Sequence, residues 1–455
     1  MPRREMTLRQ LLRSGQPDSA LVRITSREPL APEDELLRAL YGGLISHYTG
    51  AYEGSTHSLE RAVDLAEDRY TKRISRATLS LVSSDLVLPY EPSLTERALI
   101  HYYAALNFLR RDDLEGAVVE ARRLASLLER DSDPLERELE GWLRYFTGAI
   151  FEAAGERNDA DVAYRNAGQI LGSSLEFGGS VRADSGEVIL LIEGGFIAHR
   201  VEQAVVIPIY NFEMDRLSRG ESGERLRAAG SVTARVLATA LAGGGKGGDL
   251  IYYGTNPRTL QVDPLPRSVV ERECVQSSGR RRDQREARRR CREVRTPYLL
   301  KIAWPVYRQD EGGQRWVRVI DGPREVVQLR ADLTRGVLND FEGERGGILA
   351  RTILRAVTKV TVTRKLEGSS EEDSGRLGRI LGTVFNLGSA VLEQADTRSW
   401  QLLPDQIQLL RLRLPAGEHQ LAVELGVGSF GRRLEIGRVS VEGGSLAFIS
   451  TRVWD

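Results

Sequence analysis

Three groupings of residues in this chain have types and spacings that could do chemistry. Gly243-Gly-Gly-Lys-Gly-Gly248 places a lysine among glycines, as a phosphate-cradling loop does. Such a loop needs a glycine five residues before its Gly-Lys pair, and Ser or Thr directly after the lysine to hold magnesium. Ala240 and Gly247 stand at those places, so a flexible loop is expected. Asp112, Asp113 and Glu115 bring carboxylates together, as general acid–base work requires. They fall in a turn between two helical stretches, where solvated side chains are expected. Arg280-Arg-Arg-Asp-Gln-Arg-Glu-Ala-Arg-Arg-Arg290 is a basic block that could touch phosphate. No aromatic residue is interleaved to stack bases, and its acidic neighbours can pair along a helix. A solvated helix or mobile insertion is expected there, with an anionic membrane surface as the alternative contact.

The remaining reactive side chains are sparse. Cys274 and Cys291 are the only cysteines; they cannot build a disulfide framework, though one bridge across an irregular insertion suits an oxidising compartment. No Cys/His spacing suits zinc. His47, His57, His101, His199 and His419 are scattered, and each reads as a satisfied or surface histidine. No catalytic residue, cofactor or metal is therefore expected.

Composition bounds the function classes. The 455 residues carry 64 basic and 64 acidic side chains, which excludes a globally basic nucleic-acid binder. Hydrophobic residues make up 41% and charged residues 28%, ordinary for a chain with a core. No apolar run is long enough for a spanning helix. The N-terminal stretch has basic residues but no apolar core of a secretory signal, so it reads either as cytoplasmic or as lacking an exported leader.

Residues 20–172 read as helical and repeated. Gly43-Leu44, Tyr48 and Gly50 to Ser55, then Leu59 and Ala62, form one unit. Tyr103, Leu106 and Asp112 to Ala117, then Ala121 and Leu124, form a second. Trp142, Tyr145, Gly148, Phe151 and Gly155 to Ala160, then Tyr164 and Ala167, form a third. Each resembles a tetratricopeptide repeat, in which small residues let two antiparallel helices approach and aromatic residues fill the seam. Ser55, Ala117 and Ala160 are 62 and 43 apart, against a family period of about 34. An extra helical segment over 73–86 and a helix start near Pro134 account for the excess. Stacked pairs of this kind share a core and leave a concave surface.

From residue 173 the texture becomes β. Strands are predicted over 187–192 and 201–209 on either side of the Gly194-Gly195 turn, then over 298–307, 316–320 and 325–333. In the last, Val327, Leu329, Ala331 and Leu333 face one way. Pro305 marks its strand as an edge or a bulge. Helices are predicted over 215–242, 335–362 and 373–395. Strands over 407–414, 419–427, 433–441 and 445–454 read as an antiparallel sheet or sandwich. The expected fold is α+β. Its divisions are a helical repeat domain at 20–172, a β-rich domain at 173–335 with an Arg-rich insertion at 243–295, a helical segment at 336–396 and a β module at 397–455.

Tyr90 to Glu96 with Ala121-Arg-Arg123, Ile302-Ala-Trp-Pro-Val-Tyr307, and Ala395-Asp-Thr-Arg-Ser-Trp400 to Pro404 followed by Leu414 to His419 carry a resemblance. Together they resemble a family of largely uncharacterised bacterial envelope proteins with tetratricopeptide repeats, often lipoproteins. The resemblance implies an exported scaffold, periplasmic or at the outer membrane, that binds envelope proteins; the lack of a leader and lipidated cysteine departs from it. Tyr48, Tyr103, Asn107 and Tyr145 of the repeats, with Asp396, Arg398 and Trp400 of the signature, are the candidate partner-binding or hinge residues. The expected function is a non-enzymatic adaptor gripping a protein in the concave face. The alternative is an envelope protein that binds, or cleaves, peptidoglycan or another glycan. Nucleic-acid binding through 280–290 is the weakest reading, and membrane contact would need a lipid anchor or that same insertion.

Overall fold

The computed structural model describes residues 2–25, 35–76, 89–130, 134–172, 184–210, 251–253, 260–261, 298–309, 315–320, 324–367, 391–392, 394–427 and 429–454, with a few isolated positions between 213 and 275. The helix expected over 215–242, the glycine loop and the 280–290 block lie outside them.

Among the described residues eight helices come first: α1 (Pro2–Arg13), α2 (Pro17–Thr25), α3 (Glu35–Tyr48), α4 (Tyr52–Arg76), α5 (Leu94–Leu109), α6 (Leu114–Arg130), α7 (Arg137–Ala153) and α8 (Arg157–Leu171). α3 packs on α4, α5 on α6 and α7 on α8, each pair joined by a tight turn. Small residues set the seams. A Cβ on Gly148 would lie 2.9 Å from Cδ1 of Tyr164. Ser55, Ala117 and Ala160 are buried at the matching positions. Asp113 accepts from the Gly116 amide at 2.9 Å, opening α6, and so serves the turn expected of it. α7 begins after Pro134-Leu135 because Glu136 caps it, its carboxylate accepting from the Leu139 amide at 2.9 Å.

The strands are β1 (Ser185–Gly194), β2 (His199–Ile209), β3 (Ile251–Tyr253), β4 (Leu260–Gln261), β5 (Tyr298–Gln309), β6 (Arg315–Ile320), β7 (Arg324–Asp332), β8 (Val391–Leu392), β9 (Gln406–Pro415), β10 (Gly417–Val427), β11 (Phe430–Val441) and β12 (Leu446–Val453). They form three sheets: β12-β1-β9-β7, β11-β10-β6, and β3-β5-β2-β4 with β8 also on β5. The long helix α9 (Leu333–Glu367) follows β7 directly.

Strand pairing crosses the expected boundaries. β9 and β12 flank β1, while β10 pairs with β6, so residues 397–455 share two sheets with strands from before 335. β12 runs parallel to β1, a departure from an all-antiparallel C-terminal module. β1 and β2 are not a hairpin; each finds a remote partner in a different sheet. Of the helix expected over 373–395, residues 373–390 lie outside the described residues, and Val391–Leu392 are strand, paired with β5. On that edge of β5, β8 meets Leu300–Lys301 and β3 meets Tyr307–Gln309, so Pro305 falls between two short partners.

The layers explain the sequence texture. Val188, Leu190 and Ile192 of β1, with Leu410, Leu412 and Leu414 of β9, face Leu421, Val423 and Leu425 of β10 in a sandwich core. Ile189, Leu191, Ile407, Leu409, Val327 and Ala331 point the other way and join the core of the helices. A strand buried on both faces reads as a continuous apolar run, as 188–192 does. α7 lies on β7 and β12, and α9 lies on α5 and β5. That approach needs Gly336, where a Cβ would stand 2.7 Å from Leu139 Cδ2 and 2.9 Å from Thr95 Oγ1.

Candidate functional site

The face of the helical pairs that could have been an open groove is covered by the chain itself. Residues 398–403 thread along it. Glu96 is the third residue of α5 and completes the capping box with Ser93 at the helix start. Its Oε2 accepts from the Ser93 amide at 2.8 Å and the Tyr90 hydroxyl at 2.5 Å. Its Oε1 accepts from the Trp400 amide at 2.7 Å. Tyr41 donates to the Ser399 carbonyl at 2.8 Å. Arg9 of α1 donates through Nη2 to the carbonyls of Gln401 and Ile197, each at 2.7 Å. Trp400 is buried against Tyr103, with ring centroids 6.1 Å apart. Three stretches that carry the family resemblance thus meet here, because Tyr307 accepts from Arg200 Nε at 3.2 Å and the Arg200 amide donates to Ser399.

Asp396 and Arg398, two of the hinge candidates, bind one another. Arg398 Nε reaches Asp396 Oδ1 at 2.8 Å and its Nη2 reaches Oδ2 at 2.7 Å, a two-point contact. They sit in irregular chain between β8 and β9. Tyr145 lies apart from the other repeat candidates, packed on Tyr164 at 4.9 Å. Beside it Arg411 of β9 donates to Glu187 at 2.5 Å and to both Glu152 oxygens at 2.8 Å, tying β1 and β9 to α7.

Tyr48, Tyr103 and Asn107 do converge, around a carboxylate that sequence reasoning missed. β1 ends at Glu193-Gly194, and Gly195 turns the chain with a φ of 66°. Glu193 is buried there, and Tyr48 donates to its Oε2 at 2.9 Å, Tyr103 to Oε2 at 3.1 Å and Tyr102 to Oε1 at 3.2 Å. Burial raises the Glu193 pKa; nearby Arg452 and the three hydroxyls oppose that shift. Each tyrosine hydroxyl is in turn pushed up by burial and by Glu193, so all three stay protonated donors.

Next to them Ser55 donates to the Gly43 carbonyl at 2.7 Å and accepts from Asn107 Nδ2 at 2.8 Å. That leaves Asn107 Oδ1 to accept from His47 Nδ1 at 2.7 Å, so Nδ1 carries the proton and Nε2 is the ring's acceptor. Burial holds His47 down to about 4, with Arg110 adding to the fall, so the ring is neutral near pH 7.

A cavity of about 260 Å³ opens beside this cluster, lined by His47, Tyr48, Tyr52, Arg110 and Glu193 and by the β12 end, Ser450, Thr451, Arg452 and Trp454. Trp454 meets Tyr48 edge-on at 5.0 Å. The sequence signal for Glu193 was an acidic residue closing an apolar strand before Gly-Gly; nothing local marks Arg452 or Trp454 as its neighbours. Among the described residues no cluster suits a metal ion. Cys274 is buried and disulfide-bonded, and Cys291, the other cysteine of the chain, lies outside the described residues.

No protein-family model matches the chain, and no curated protein does. Two solved structures are similar in part. One, described as MamA RS-1 ArsTM double mutant, shares 14% identity over 37% of this chain and 92% of its own, with a TM-score of 0.18. The other, MamA 41-end from Desulfovibrio magneticus RS-1, shares 14% identity over 38% of this chain and 96% of its own, also at 0.18. A likeness at that TM-score fixes neither fold nor function.

Proposed function

We propose that the protein is a non-enzymatic binding scaffold of the bacterial cell envelope. In this reading α3–α8 are a tetratricopeptide-like solenoid whose inner face holds the chain's own β-region, and recognition falls to the cleft at Glu193 and Trp454. The observation that carries it is the seating of Trp400 and residues 398–403 on the inner face. A partner helix, about 10 Å across with its side chains, has no groove to enter there. Beside it, among the described residues, lies a cavity of about 260 Å³, a little below the ~300–1,000 Å³ of pockets for drug-sized ligands. That size, with aromatic rings and hydroxyls in the lining, favours the glycan reading over capture of a protein segment.

The donor set of this cleft supports a non-catalytic reading. Glycoside hydrolysis uses two carboxyl groups about 5–9.5 Å apart. Glu193 is the one carboxylate among the described lining residues, and its oxygens are engaged by tyrosine hydroxyls. The bonded Cys274 supports an oxidising compartment, in keeping with an envelope location.

The test is co-sedimentation of the full-length chain with insoluble peptidoglycan, with suspension turbidity followed in parallel. Retention without clearing is expected, and Trp454→Ala should reduce it. Clearing by the pure protein, or no retention, would overturn the reading.

A further inference from the structure

We infer that the cleft takes a saccharide ring bearing a carboxylate, with Arg452 and Arg110 facing the acid; this rests on the glycan reading above. The reasoning begins with a charge inventory of the cavity. Arg452 donates through Nη1 to the Val453 carbonyl at 3.2 Å and through Nη2 to the Gly195 carbonyl, while its Nε is buried with no hydrogen-bond partner. Its guanidinium lies 4.6 Å from the Trp454 ring centroid, 5.2 Å from that of Phe196 and 5.8 Å from that of Tyr48. Those rings fix its position without neutralising it. Among the described residues no carboxylate stands within ion-pair distance of Arg452.

Arg110, also in the lining, is exposed and has no acidic partner among the described residues; its Nε donates to the Tyr52 hydroxyl at 2.9 Å. Glu193, the one acid in the lining, already accepts from three tyrosines. His47 is neutral and adds no charge. Two guanidiniums therefore face a single, occupied carboxylate, so the cavity favours an anion. An ammonium group would meet two guanidiniums and a carboxylate already engaged by three hydroxyls, which disfavours amino acids and basic peptides.

The rest of the lining selects among anions. Ser450 and Thr451 supply hydroxyls that can both donate and accept, as a polyhydroxylated ring requires. Tyr48, Tyr52 and Trp454 supply flat apolar surface beside them. A bare anion such as phosphate would use the arginines and hydroxyls and leave the flat apolar surface idle. An acidic sugar engages both sets.

Calorimetric titration of the full-length chain at low salt decides the matter, with glucuronate and N-acetylmuramic acid against glucose, N-acetylglucosamine and inorganic phosphate. The acidic sugars should bind at least about tenfold tighter than their neutral counterparts. Arg110→Gln, at an exposed position, should shrink that preference while leaving the circular dichroism spectrum unchanged. Arg452→Gln should abolish it, its fold being checked the same way. Equal binding of acidic and neutral sugars would remove the acid specificity and leave the glycan reading standing. Phosphate binding as tightly as the acidic sugars would reduce the cleft to an anion site and overturn the inference. Binding of none of these would overturn both.

Discussion

Glu193 and His47 show how single residues are set by what packs on them. The buried imidazole titrates at about 4, below its ordinary 6.5. Between those values the unfolded chain takes up a proton that the folded chain refuses. Stability therefore falls as pH drops from 6.5 through 4, by about 3 kcal/mol in all. Asp405 runs the other way. Burial pushes it up to about 6 from 3.8, although it accepts from Thr334 at 2.6 Å and Gln309 at 3.0 Å. Its contribution is complete below 3.8 and is lost as pH rises through 6. Asp405→Asn should raise the urea midpoint at pH 7.5 and lose that advantage by pH 4. His47→Gln should flatten the acid limb between pH 6.5 and 4. Midpoints that stay parallel to the unsubstituted chain across that range would contradict both assignments. Neither shift was legible in the sequence, since burial is the largest cause of each and the contributing neighbours lie more than 40 positions away.

At the scale of elements, the strands and helices were legible wherever one face meets a core. Val327, Leu329, Ala331 and Leu333 alternate because β7 lays one face on α7, and all four join the helical core. The small residues of the helix pairs had the role their spacing implied. Pairing was not legible: β1 takes β12 and β9 as neighbours, both more than 200 residues away, and no local pattern encodes that choice. Arg411 was hidden for a related reason. It occupies the helix-facing side of β9 in line with Ile407 and Leu409, where a sequence pattern reads an arginine as exposed. Arg411→Met should cost about 1.5–3 kcal/mol, because the buried Glu187 carboxylate loses one of its two guanidinium partners and keeps only Arg413. Adding Glu187→Leu should recover much of that loss in chemical denaturation; a double variant no better than the single would contradict the pairing. Gly336→Ala should cost about 1–3 kcal/mol by forcing α9 away from Leu139 and Thr95.

For the whole molecule, the helices up to Leu171 and the strands from Ser185 share one core. Tyr103, Trp142 and Phe146 of the helices and Ile189, Leu191, Leu409 and Trp400 of the rest belong to the same buried cluster. The expected concave surface is consequently an internal interface. Trp400→Ala should lower stability by about 3–5 kcal/mol, and it should do so for both parts at once, seen as equal shifts by circular dichroism and tryptophan fluorescence. The most direct measurement is native-state hydrogen exchange on the full-length chain, comparing amides of α5 and α7 with those of β1 and β9. Equal opening free energies, falling together in Trp400→Ala, are expected of a solenoid filled by its own β-region. Helices that open at a lower free energy than the strands and ignore the Trp400 substitution would contradict it.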